Sequence, residues 1–127
     1  MYMVDNNKIM QCKHENNTWS RTLDYMQQEN VHLKNRLGEI AKNKLDKKML
    51  EQVEYFQNSF LNKDAVVALL RRDIVAQNQS IDLSWANDGI DQKWLARHDK
   101  LRIDMNKMEK EFSKLKYEFN DYMSEIL

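Results

Sequence analysis

A chain of 127 residues is about one domain long and can bury a sizeable core. Its 20 Lys+Arg and 20 Asp+Glu side chains balance, which excludes the basic field that sequence-independent nucleic-acid binding draws on and an acidic field for basic partners. No proline and only two glycines leave few positions where a helix must stop, and no window approaches the ~18–20 continuous apolar residues of a membrane span.

The first predicted helix covers about 5–42. Ile9, Cys12, Asn16, Trp19, Leu23, Met26, Asn30, Leu33, Leu37 and Ile40 recur at alternating steps of four and three, which puts them on one stripe. The phase slips after Ile40, so a turn is expected at 43–45, with Gly38 an earlier possible stop. The rival is one long helix carried through by Leu37, Ala41, Leu45, Met49 and Val53. Asp46 can cap the second helix, with Leu45 and Leu50 as a hydrophobic staple.

The second helix is expected over about 46–79, on the stripe Met49, Val53, Phe56, Phe60, Lys63, Val67, Leu70, Ile74 and Gln77, with Ile81 continuing the phase. Asn62 offers an internal cap, with Leu61 and Val66 as its staple, but the phase runs through it, so a kink is favoured over a break. Ser80–Gly89 reads as a loop rich in turn residues, with Asp88 capping a third helix over about 88–125. That helix carries Trp94, His98, Leu101, Met105, Met108, Phe112, Leu115, Phe119, Tyr122 and Ile126. All but five of the stripe positions are apolar, against 42% of the whole chain. The expected fold is all-α: an elongated up-down-up antiparallel three-helix bundle with coiled-coil-like heptad packing, forming one domain over 1–127.

The polar exceptions are the first place to look for chemistry. His98 sits on the stripe, and antiparallel folding sets it near Trp19, Asn16 and Gln77, with Trp85 in the adjoining loop. This end can hold a register-fixing polar layer or a small-ligand pocket lined by Trp19, Trp94 and His98. Cys12 and His98 are read as a poor zinc pair, because two ligands at different heights do not make a tetrahedral site. Asn30 reads as a register device, and Lys63 as a stem that buries its carbons and snorkels its charge. Arg71-Arg72-Asp73 reads as a solvated charge run.

Glu29-x-x-His32 matches half of the pattern used by di-iron bundles, which need two inward pairs. Only one copy is present, and its heptad position turns His32 to solvent. No nucleophile motif, phosphate loop or paired catalytic carboxylate stands out, so neither catalytic residues nor a cofactor or metal are expected. The lone cysteine excludes an internal disulfide and fits a reducing compartment, and no signal-peptide pattern is present, so a cytoplasmic location is expected.

Off the stripe, Leu50, Leu95 and Val66 are expected to widen the core, whereas Leu61, Leu69, Ile103 and Tyr117 should face outward. Leu69, Ile103 and Tyr117 are the candidate partner-binding residues. The functional expectation is a non-enzymatic interaction or scaffold module, a homodimer that self-associates through a helix face and binds neither nucleic acid nor membrane. The alternative is a small-ligand- or metal-binding bundle with its site at the tryptophan-rich end.

Overall fold

The computed structural model describes residues 5–87 and 90–127, without the side chains of 84–87. It has three helices, α1 (Asn6–Ala41), α2 (Lys47–Asn87) and α3 (Gln92–Ile126), and no strand among the described residues. Each helix begins at an aspartate that answers a free backbone N–H. Asp5 Oδ1 accepts from Asn7 at 2.7 Å, Asp46 Oδ1 from Met49 at 2.8 Å, and Asp91 Oδ1 from Trp94 at 2.9 Å.

Several boundaries differ from the sequence reading. The turn between α1 and α2 is present, so the single-long-helix alternative fails, and Gly38 lies inside α1 rather than ending it. α2 passes Asn62 unbroken and continues to Asn87, so most of the expected 80–89 loop is helical. Ile81 is fully buried and anchors this extension, and Ser80 Oγ donates to the Ala76 carbonyl at 3.2 Å, a bond compatible with the helix. Asp88 lies outside the described residues. α3 starts at Gln92 behind Asp91, where Ile90 and Leu95 occupy the two places of a hydrophobic staple and share one apolar cluster. At the start of α2, Leu45 packs on the core, whereas Leu50 is 46% exposed and does not widen it.

Burial follows the apolar stripes. The ten buried residues of α1 are the ten of its stripe. On α2, Val53, Phe56, Phe60, Val67, Leu70, Ile74, Gln77 and Ile81 are buried, while Met49 and Lys63 are half-buried. On α3, Met123 is buried while Tyr122 and Ile126 pack partly against the core. Cross-helix pairs fix the register. Lys13 meets Asp82, Asn16 meets Gln77 and Lys34 meets Asp64, so numbering runs in opposite senses along α1 and α2. Tyr55–Glu118, Lys63–Glu111 and Gln77–His98 run in opposite senses along α2 and α3. Glu15–Arg102, Glu29–Lys116 and Arg36–Asn120 run in the same sense along α1 and α3.

The core has two parts. The larger holds Phe56, Phe60 and Phe119, with edge-to-face ring contacts at 5.2 Å from Phe119 to each of the other two. The smaller gathers Ile9, Cys12, Ile81, Ile90 and Trp94. Between them lies a buried polar layer of Asn16, Gln77 and His98.

Candidate functional site

The polar layer is built around His98, which is 1% exposed. Its imidazole lies between two indoles, stacked on Trp94 at 5.4 Å with 7° between planes and tilted against Trp19 at 4.9 Å. Nδ1 faces Gln77 Oε1 at 2.7 Å, and Nε2 faces Glu15 Oε1 at 3.1 Å. Asn16 Nδ2 donates to Gln77 Oε1 at 3.3 Å and to Asn78 Oδ1 at 3.1 Å. Arg102 closes the layer from outside. It donates to both Glu15 oxygens at 2.9–3.1 Å and to Asp99 at 2.8 Å, and its guanidinium lies 5.9 Å from the Trp19 ring centre.

The environment moves several pKa values. Burial lowers that of His98, although Glu15 pulls the other way. Burial alone would raise that of the Glu15 carboxyl, but hydrogen bonds and charge from Arg102 and His98 outweigh it, and the net shift is downward. Burial pushes the Cys12 thiol up, with Glu15 and Asp99 adding to the rise against Lys8 and Arg102.

These contacts contain a conflict over protons. Both ring nitrogens of His98 face oxygen acceptors. A neutral imidazole has one N–H and can satisfy only one of them. With the proton on Nδ1, the lone pair of Nε2 points at a carboxylate. With the proton on Nε2, the lone pair of Nδ1 points at the Gln77 oxygen. Imidazolium satisfies both, but its burial between two indoles disfavours the charge.

The structure brings together the predicted Trp19, Trp94 and His98, as a filled layer rather than an open pocket. A cleft of about 230 Å³ between α2 and α3 reaches Gln77 and Trp94 from the side. The Trp85 side chain lies outside the described residues. The reading of Cys12 and His98 as ligands at different heights is corrected: with the Glu15 carboxylate, their ligand atoms lie within 4.8 Å of one another. Glu15 stands opposite Arg102 and Glu29 opposite Lys116, and the same register sets His98 beside Cys12, one turn before each partner.

Other singled-out residues serve packing and cross-helix pairing. Asn30 Nδ2 donates to the Phe60 carbonyl at 2.9 Å and to Asp64 at 2.6 Å. Lys63 reaches Glu111 at 3.0 Å, Arg71 reaches Asp24 at 2.7 Å, and Glu29 pairs with Lys116 at 2.9 Å while His32 faces solvent.

Glu15 and Arg102 were missed in the sequence. Their signal is a pairing rule: Glu15 at g and Arg102 at e flank the stripe, the positions that pair between helices running in the same sense. The surface holds a second pattern. Leu50, Leu61, Ala68 and Val75, at steps of 11, 7 and 7, lie exposed along one side of α2. Ala68 and Val75, with Val31 of α1, line a groove of about 590 Å³ between α1 and α2. Of the predicted partner residues, Leu69, Ile103 and Tyr117 are all exposed. Leu69 borders a different groove, between α2 and α3, and the exposed Lys110 stands midway between Ile103 and Tyr117.

No family model, curated protein or solved structure matches this chain.

Proposed function

We propose that the chain is a helical interaction module that receives a further helix along the groove between α1 and α2, and that a second copy of the chain supplies it. The observation that carries this reading is the exposed stripe of Leu50, Leu61, Ala68 and Val75 beside Val31. An amphipathic helix docks by laying apolar residues at such spacings into a groove. Ala68 on one wall adds little bulk, which allows close approach of a further backbone. Lys34, Asp64, Arg71 and Arg72 line the groove with both signs of charge, which favours partners of matched register. A stripe on one helix suits an isologous pair, in which the same surface is used by both copies.

Sedimentation equilibrium tests this directly. Wild type should be a dimer, and Ala68→Glu, an exposed position away from the core, should give a folded monomer. Tyr117→Ser should leave the dimer intact. A wild-type monomer at high concentration would overturn the reading, as would a dimer indifferent to Ala68→Glu and Val75→Glu.

A further inference from the structure

We propose that Cys12, Glu15 and His98 form a binding site for a divalent transition metal of the zinc class. The three residues contribute a sulfur, a carboxylate oxygen and an imidazole nitrogen, whose ligand atoms lie within 4.8 Å of one another. Ligand atoms around a tetrahedral zinc are separated by about 3.5 Å, given Zn–S and Zn–N bonds of about 2.3 and 2.1 Å. Closure by about an ångström, within the reach of rotamer adjustment on two helices, brings three ligands to bonding distance, and a water entering beside the partly exposed Glu15 takes the fourth tetrahedral position.

A second observation is independent of this clustering. A metal-bound histidine commonly donates its other ring N–H to an oxygen, which fixes the tautomer and aims the bare nitrogen at the metal. Gln77 Oε1, 2.7 Å from Nδ1 and held by Asn16, is such an oxygen. Nε2 is then bare and faces Glu15 Oε1 at 3.1 Å. With the ring proton on Nδ1 and directed at Gln77, a divalent ion held by Nε2 and the Glu15 carboxylate satisfies both without placing charge on the buried ring.

The charges balance. Binding removes the Cys12 S–H proton to solvent, and sulfur donates as thiolate. His98 donates the Nε2 lone pair and Glu15 an oxygen already anionic. One proton leaves for each ion bound when His98 starts neutral, and two when it starts as imidazolium. Thiolate, Glu15 and Asp99 carry three negative charges, which the ion and Arg102 neutralise. Arg102 keeps a Glu15 oxygen as its partner throughout. The Glu15 side chain is 24% exposed, which gives the ion a way in to the otherwise closed Cys12 and His98. The sulfur, nitrogen and carboxylate donor set selects zinc and its neighbours over magnesium or calcium.

The test is titration of the full chain, stripped with chelator and kept reduced, with Co²⁺ and then Zn²⁺. The expected result is one Co²⁺ per chain, with a thiolate-to-cobalt charge-transfer band, visible bands of a tetrahedral centre and a change in tryptophan emission. Zn²⁺ should displace it. Cys12→Ser should abolish the charge-transfer band. Gln77→Ala should weaken binding about 10–100-fold, as loss of a ligand-orienting partner does. Glu15→Gln, at a partly exposed position, should weaken it further without unfolding the bundle; circular dichroism checks the fold of each variant. Absence of stoichiometric binding to folded wild type overturns the proposal. So does binding without the thiolate band, or binding that survives both Cys12→Ser and Glu15→Gln, as attachment at exposed His14 or His32 would.

Discussion

Replacing Glu15 by glutamine or by alanine separates the two jobs of this side chain. In wild type the carboxylate takes three short contacts from Arg102, at 2.9–3.1 Å, and faces His98 Nε2 at 3.1 Å. A hydrogen bond to a charged partner contributes about 1.5–3 kcal/mol. Because Glu15 and Arg102 keep 24% and 35% of their side-chain surface exposed, solvent screening reduces the Arg102 share to about 1–2 kcal/mol. Glutamine retains one oxygen for Arg102 and adds an N–H that can donate to Nε2, which ends the acceptor conflict and returns about 0.5–1.5 kcal/mol. Measured at pH 8 with chelator present, Glu15→Gln should therefore lose no more than about 1 kcal/mol, and Glu15→Ala about 2 kcal/mol.

The pH dependence carries a definite sign. The folded-state pKa of His98 lies below its ordinary 6.5 because burial disfavours the charged ring. The unfolded chain then binds a proton that the folded chain refuses. Stability is full above the unfolded value and falls as the pH drops from there toward the folded value. The lowered Glu15 carboxyl acts in the same direction in a more acidic window, below its ordinary 4.5. Glu15→Gln removes the group that pulls the His98 pKa upward, so its loss of stability between pH 8 and 5.5 should exceed that of wild type. Urea unfolding at these two pH values, followed by tryptophan fluorescence, measures both quantities. If glutamine proves as damaging as alanine, or if wild type gains stability on acidification through pH 6.5, the proton conflict assigned to His98 is wrong.

Three further outcomes rest on packing and caps. Gly38→Ala should stabilise the fold by about 0.5–1 kcal/mol in chemical denaturation, since Gly38 lies within α1 and a Cβ there meets nothing within 4 Å. Phe60→Ala should destabilise by about 3–5 kcal/mol, because the ring is fully buried against Phe56 and Phe119; a loss under 1 kcal/mol would show that the centre collapses around the change. Asp91→Ala should lose about 1 kcal/mol through the unanswered Trp94 N–H, with amide exchange accelerated in the first turn of α3.

The helical stripes were legible because burial on one face imposes a period, and that period survives polar exceptions such as Asn16 and Asn30. The end of α2 was not legible by composition. Ser80 and Asp82 resemble loop residues, yet Ser80 bonds within the helix, Asp82 reaches Lys13 at 3.5 Å, and the buried Ile81 holds the turn in place. The start of α3 was misread for a related reason: Asp88 and Asp91 are both capable caps, and only the apolar pair Ile90 and Leu95 distinguishes Asp91. At the candidate site His98 and its tryptophans could be read from the stripe, whereas Glu15 and Arg102 lie just off it, where charges are numerous. Their pairing depends on the register between α1 and α3, helices that are not consecutive in the chain.

The division of the core explains why the chemistry gathers at one level. A continuous apolar seam would allow the helices to slide by a turn with little penalty, whereas a buried amide or imidazole must meet its own partner. Asn30 meets Asp64 and the Phe60 carbonyl and so fixes α1 on α2 alone. The His98 layer differs, because Gln77 of α2 and Glu15 of α1 meet the same ring on α3, and one residue locks all three helices. A metal bound by Cys12, Glu15 and His98 would tighten the junction of α1 and α3, the two helices not joined directly by a connecting turn.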